Sequence, residues 1–520
     1  MNLDTITSKI FIEILEGKHH NDDSKYNKYY TEDYDTKEGC KIIVIRLENL
    51  IFLDKIEINY LNCKYSVSIR NCKFEKDFSF LSSTFKNFSF SKVTSNSSIN
   101  FRSNTSIGYL SISGCIVKDQ IYFDNGYYGT FMGLNVNTSR ISVFGGHFDI
   151  FSINGKISDF TICNETTYFD KLQFNNSLIG SNINISNIRV NELKISGIFN
   201  ETNKVQIQDI SLFSLYLNLK NSGTILFNNI KVNNYRLIEC NTTIGEFFKK
   251  HNITNDLKKE IQRSSPVEII NEDKRLRFLH IKYNIDLYKL RRLELFEKEN
   301  TNSISHLKID KIETGSMVFK NFQLGSFQEI EIIDTDLSSI KTFNSMFPVK
   351  KIKGNPTALY EVFNDLYSVA KSKHNTLEQI NYFKASQNFL LKSIKTSNNK
   401  DWSSIISLTL SKWYSDYGSS WTKALKVVFI LSIIMFSSMV LSTSHKIDFS
   451  IKGFYKLLEL IPYYLQFLNP THKYTFMDNK FITYTYSGDL FFSIFDTISR
   501  IFISIGIFEL IVSFRKFLRK

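Results

Sequence analysis

Asp496 and Arg500 stand four positions apart in LFFSIFDTISRIFISIGIFELIVSFRKFLRK (490–520), a stretch otherwise built mainly of Phe, Ile, Leu and small residues. Four positions is about one helical turn, so carboxylate and guanidinium share a face and can pair. In hydrocarbon such groups are costly and face protein or water rather than lipid. The spacing therefore points to a candidate polar pair inside a membrane, not to an acid–base centre. Glu509 falls on the other side of the same helix and is expected to reach the interface near the cationic end.

Other residues capable of chemistry are dispersed. Asp119, Asp124, Asp149, Asp159 and Asp170 fall mostly at turns and suggest no carboxylate cluster of the kind a polysaccharide-cleaving β-helix needs. FGGHFD (144–149) reads as a turn between strands in preference to an anion nest. His19, His20, Asp22 and Asp23 sit in a polar loop without further ligands at metal-binding spacing. The chain contains no GxSxG, Walker loop or HExxH. No catalytic residue, cofactor or metal is expected, and a non-enzymatic role follows. The six cysteines form no CxxC pair and read as reduced, buried thiols.

The elements that must position these residues begin with a repeat. Between about residues 62 and 230 an apolar–x–apolar triplet recurs every 10 or 11 residues, as in FSF (78–80), FSF (88–90), INF (99–101), LSI (110–112) and IYF (121–123). Alternation of period two marks short strands with one buried face. A fixed spacing over many copies marks a β-solenoid, each unit burying its face against its neighbours. Two strands per coil predict about eight rungs, a rod near 40 Å long. Residues 1–60 read as an N-terminal cap and first strands and 61–235 as the solenoid. Residues 236–300 form a helical insertion opened by a Thr243/Glu246 capping box, and 301–350 add further solenoid strands. Residues 351–420 are juxtamembrane helices, including an αα-hairpin whose second helix starts with a Thr376/Gln379 capping box and lines up Ile380, Phe383 and Leu390 on one face.

Residues 421–520 read as a transmembrane hairpin. All three tryptophans, Trp402, Trp413 and Trp421, fall just before or at the start of ALKVVFILSIIMFSSMVLS (424–442). Trp prefers the head-group layer, and that stretch spans about 28 Å as a helix. A core helix of a soluble domain is the alternative. The second span runs over about 490–514. Trp402, Trp413, Trp421, Arg515, Lys516, Arg519 and Lys520 are the expected interface anchors. Residues 451–468 are amphipathic and either lie in the interface or re-enter the membrane. Net charge is +13, with residues 349–426 carrying 12 lysines against five carboxylates. Those cations flank hydrophobic segments, which favours phospholipid over nucleic acid. The N-terminus has no basic, apolar leader pattern, so both ends are expected on the cytoplasmic side.

Three segments carry a resemblance: DWSSIISLTLSKWYSDYGSSWTKAL (401–425), FLNPTHKYTFM (467–477) and ISRIFISIGIFELIVSFRKFLRK (498–520). Together with the repeat, they resemble bacterial pentapeptide-repeat-type membrane proteins, although the five-residue A(D/N)Lxx pattern is replaced by larger aromatics at a longer period. The resemblance implies an inner-membrane, multi-pass protein. Its solenoid would bind an unknown protein or ligand, and its two-helix unit would self-associate, channel-like or as an antiviral effector. A membrane-tethered scaffold or adaptor without transport is the competing reading.

Overall fold

The computed structural model describes residues 4–20, 25–35, 40–178, 182–199, 204–221, 223–237, 249, 304–313, 316–442, 458–473 and 486–518. They divide into two units, Met1–Gly354 and Asn355–Lys520. The insertion expected at 236–300 lies almost wholly outside the described residues.

The first unit is a parallel β-solenoid of about ten turns. The apolar–x–apolar triplets are its rungs. One inward column runs Leu47, Ile69, Phe90, Ile112, Gly133, Ile153, Phe174, Ile195, Leu217, Ile309, Ile332, each paired with the next. A second runs Ile58, Phe80, Phe101, Phe123, Val143, Ile162, Ile185, Ile207, Phe227, Phe319. Like side chains stack at the strand spacing: Phe80 on Phe101 at 4.8 Å and Phe101 on Phe123 at 4.9 Å, with ring planes nearly parallel. Each buried phenylalanine removes enough apolar area from water to contribute roughly 1.5–3 kcal/mol.

The corners require left-handed backbone. Asn49, Asn71, Lys92, Gly114 and Asn135 occupy one corner of successive turns, and Asn125, Asn187, Asp209 and Asn229 lie at another, all with positive φ. Asn and Asp tolerate that region because the short polar side chain bonds locally.

The ladder extends past both ends of the 61–235 stretch. The strands within residues 1–60 belong to it, with Val44 paired to Ser66. After the insertion it resumes, with Leu217 pairing Ile309 and Phe227 pairing Phe319, and reaches about ten turns where eight were expected. The N-terminal cap is α1 (Ser8–Leu15), started by Thr7. It places Phe11 against Phe52 and Phe78.

The second unit is helical: α2 (Pro356–Ser372), α3 (Thr376–Thr396), α4 (Trp402–Ser415), α5 (Trp421–Ser442), α6 (Ile461–Phe467) and α7 (Tyr486–Leu518). The α2–α3 hairpin closes on Leu359, Val362, Phe363 and Leu366. The cap of α3 is Asn375, whose side chain accepts from Glu378 N, not a Thr376 box. Its buried face is Tyr382, Ala385, Ser386 and Leu391, rotated from the Ile380/Phe383/Leu390 face expected. Between α4 and α5, Asp416, Tyr417 and Gly418 all have positive φ, a sharp elbow. The α5 and α7 helices contain the two segments long and apolar enough to cross a membrane, Trp421–Val440 and Phe492–Arg515.

Candidate functional site

Asp496 lies on the face of α7 that packs inward and is 2% exposed. Arg500, one turn on, donates through Nε to Asp496 Oδ2 at 2.8 Å. Its Nη2 stands 2.8 Å from the same oxygen but is not aligned to bond it. The pair read from the sequence is therefore formed, and a third member joins it. His472 Nε2 lies 2.7 Å from Asp496 Oδ1.

His472 arrives from the segment between the two long helices. Phe467, at the end of α6, is fully buried with Phe436, Met439, Phe492 and Ile503, which folds this segment back against α5 and α7. Asn469 then makes a tight turn: its side chain accepts from Thr471 N and Thr471 Oγ1, and its carbonyl accepts from His472 N. That turn aims the ring at Asp496. Of the stretch 451–468, residues 451–457 lie outside the described residues. The one sequence signal was a histidine three residues after an Asn–Pro turn in FLNPTH.

A second node joins α7 to the elbow. Ser415 Oγ donates to Glu509 Oε2 at 2.5 Å, and Gly418 N donates to Ser415 Oγ. Tyr414, fully buried, donates to the Phe502 carbonyl at 2.8 Å. Glu509 is thus held at the elbow that precedes α5. Asp416 pairs with Lys423 at 2.5 Å. Gly506 marks the closest approach of the helices: a Cβ there would come within 2.4 Å of Val428 Cγ2 and 2.8 Å of Tyr414 Cε1. Trp402 and Trp413 are exposed on α4, and Trp421 packs edge-on to Phe514. Arg515 is exposed and Lys516 lies within α7; Arg519 and Lys520 are outside the described residues.

Among family models, curated proteins and solved structures, none matches the chain.

On the solenoid, the carboxylates are held by neighbouring turns. Asp119 accepts from Ser98 Oγ, Asp159 pairs with Arg140, and Asp149 accepts from Tyr127 Oη at 2.8 Å with His147 beside it. Asp170 meets Arg236 at 3.2 Å while Asn191 clasps both the N–H and the carbonyl of Leu237, fixing the start of the insertion to earlier turns. Sequence reading missed this clamp because its partners are 46 or more residues apart. The Gly145–Gly146 corner is not an open nest, since Gly145 N donates to Thr167 Oγ1. No group of three metal ligands occurs among the described residues. A groove of about 320 Å³ runs along one corner, lined by Arg189 and Lys231 together with Asp209 and Glu165.

Burial raises the thiols of Cys63, Cys72 and Cys115 to about 11. These are inert core groups, in keeping with their inward positions.

Proposed function

We propose that this chain is a non-enzymatic membrane protein with two crossings: the solenoid is a binding or sensing surface, and the helical pair is an effector that self-associates into a pore. The observation carrying the membrane part is how α5 and α7 are dressed. Only 33% and 22% of their apolar windows are buried, whereas a soluble core helix is mostly buried. Phe429, Ile430, Ile433 and Ile434 of α5 and Ile494, Ile501, Phe508 and Ile511 of α7 project outward. Water does not favour an apolar band of that extent. The charged cluster is inside and the apolar surface outside, the arrangement hydrocarbon selects.

Two crossings return the chain to its starting side. Lys412, Lys423, Lys426 and Arg515 mark that side as cytoplasmic. The outline and the segments at 401–425, 467–477 and 498–520 support a place among bacterial pentapeptide-repeat-type proteins of the inner membrane. Two helices cannot enclose a channel, so conduction requires several copies. The mixed-charge groove is the part of the solenoid best suited to a polar ligand or protein partner.

The purified chain in planar bilayers should pass current, and Asp496→Ala should alter it. No current from either protein would remove the pore. The tether reading is favoured by the internal pairing of Asp496, which leaves its carboxylate turned into the hairpin. Replacing 421–520 with an unrelated anchor decides it, since a tether survives the exchange and an effector does not.

A further inference from the structure

Helix α4 carries its bulkiest apolar side chains on the wrong side for water. Trp402, Ile406, Thr409 and Trp413 recur at three- and four-residue steps, so they fall on one face. All four are exposed, Trp402 at 65%, Ile406 at 56% and Trp413 at 47%. The opposite side, with Tyr414 and Ser415, is the one that docks on α7. Beside Ile405, the buried side thus holds a phenol and a serine hydroxyl, while two indoles and an isoleucine face out. Single exposed apolar residues are ordinary on a soluble surface, but a stripe along a whole helix marks something that covers it.

The level of α4 along its neighbours says what covers the stripe. Ser415 bonds Glu509, six residues or about 9 Å inside the Arg515 end of the apolar window of α7. A Cβ on Gly506, nine residues or about 14 Å inside that end, would come 2.8 Å from Tyr414 Cε1. Val428, which faces the same glycine, lies seven residues or about 10 Å inside the Trp421 end of α5. Those two ends are level, since Trp421 packs on Phe514. The last turn of α4 therefore sits below the rim of both windows. On the membrane reading above, on which this inference rests, that is about the 5–10 Å depth at which amphipathic helices settle. At the same level α5 turns Leu425 and Phe429 outward, so the α4 stripe continues an apolar band. A tryptophan at each end of the stripe sets both ends in the head-group layer, where the ring is apolar and its N–H wet. Both ends at one depth make the helix flat.

We propose that α4 is an in-plane membrane helix, its Trp402–Trp413 face held by lipid at the boundary between head groups and acyl chains.

The test uses the full chain in phosphatidylcholine vesicles, with each tryptophan left alone in turn by Trp→Phe changes at the other two. Lipids brominated near the head group or near the chain end quench by contact. Trp402 and Trp413 should be quenched to the same extent, and about two-fold more by the shallow bromines than by the deep ones. Trp402 unquenched while Trp421 is quenched overturns the proposal, whether water or a second copy of the chain covers the stripe. Should a single-tryptophan protein not fold, Trp402→Phe alone serves. It should remove about one third of the emission that shallow bromines quench, the share of one tryptophan in three. Equal quenchable emission from wild type and Trp402→Phe overturns the proposal. Trp421 separates the two layers. If it too escapes quenching and the protein washes off in alkali, the membrane reading falls and this proposal with it. If Trp421 is quenched and Trp402 is not, only the in-plane helix is lost.

Discussion

Asp496 accepts from Arg500 on one oxygen and faces His472 on the other, so removing it leaves the guanidinium and the buried ring without their shared partner. Asp496→Ala should destabilise the helical unit by about 3–5 kcal/mol. Asp496→Asn keeps an acceptor for Arg500 and offers Nδ2 to a neutral imidazole, so it should be milder by roughly 1–2 kcal/mol. Thermal unfolding in detergent, followed by the tryptophans of this unit, checks the order. The thiols of the solenoid give a pH dependence. Cys63, Cys72 and Cys115 titrate near 11 when folded, against an ordinary value of 9.0, because burial disfavours the thiolate. The unfolded chain therefore ionises first as pH rises. Their stabilisation is intact below pH 9 and is lost between about pH 9 and 11, up to roughly 2–3 kcal/mol per thiol. Urea midpoints across that range should fall, and at pH 8 the native thiols should resist a disulfide reagent. The Asp496/Arg500 pair was legible because both partners lie on one helix. His472 was not, because a contact across 24 residues depends on a fold-back that no local pattern encodes.

The helices α5 and α7 meet where a side chain would obstruct them. Gly506 leaves room for Val428 and Tyr414, and a β-carbon at that place would overlap Val428 Cγ2. Gly506→Val should separate the pair and cost on the order of 1–3 kcal/mol, the penalty of overpacking. Gly506→Ala should cost less. Unfolding of the isolated variants in the same detergent measures both, and the wild-type midpoint in Gly506→Val would contradict the close approach. The strands were readable from their period-two triplets, since every turn repeats the same demand for an inward phenylalanine or isoleucine. Helix faces were less so. In α3 the buried positions Tyr382, Ala385 and Ser386 are small or amphipathic, and their burial is set by packing against Phe363 and its neighbours rather than by hydrophobicity along the sequence.

At the scale of the molecule, the solenoid ladder passes over its own interruption. Leu217 pairs with Ile309 and Phe227 with Phe319, so the ladder continues directly from the strands before residue 238 to those after residue 303. Replacing 238–303 with a short Gly-Ser linker should therefore leave the β-sheet circular dichroism and the solenoid melting midpoint within a few degrees of wild type. Loss of the cooperative transition would mean that this segment supports the sheet. The eight rungs expected from sequence were counted over the regular repeat at 62–230. The strand-like alternation after residue 301 was legible too, but only the pairing of Leu217 with Ile309 and Phe227 with Phe319 joins it to the same ladder. The elbow at Asp416, Tyr417 and Gly418 has a consequence of its own. Three successive left-handed residues give a corner with little torsional slack, and Ser415, Tyr414 and Asp416 pin that corner to α7 and α5. A twist of α4 about its axis is therefore delivered to the second long helix as torque, the way a crank handle turns a shaft.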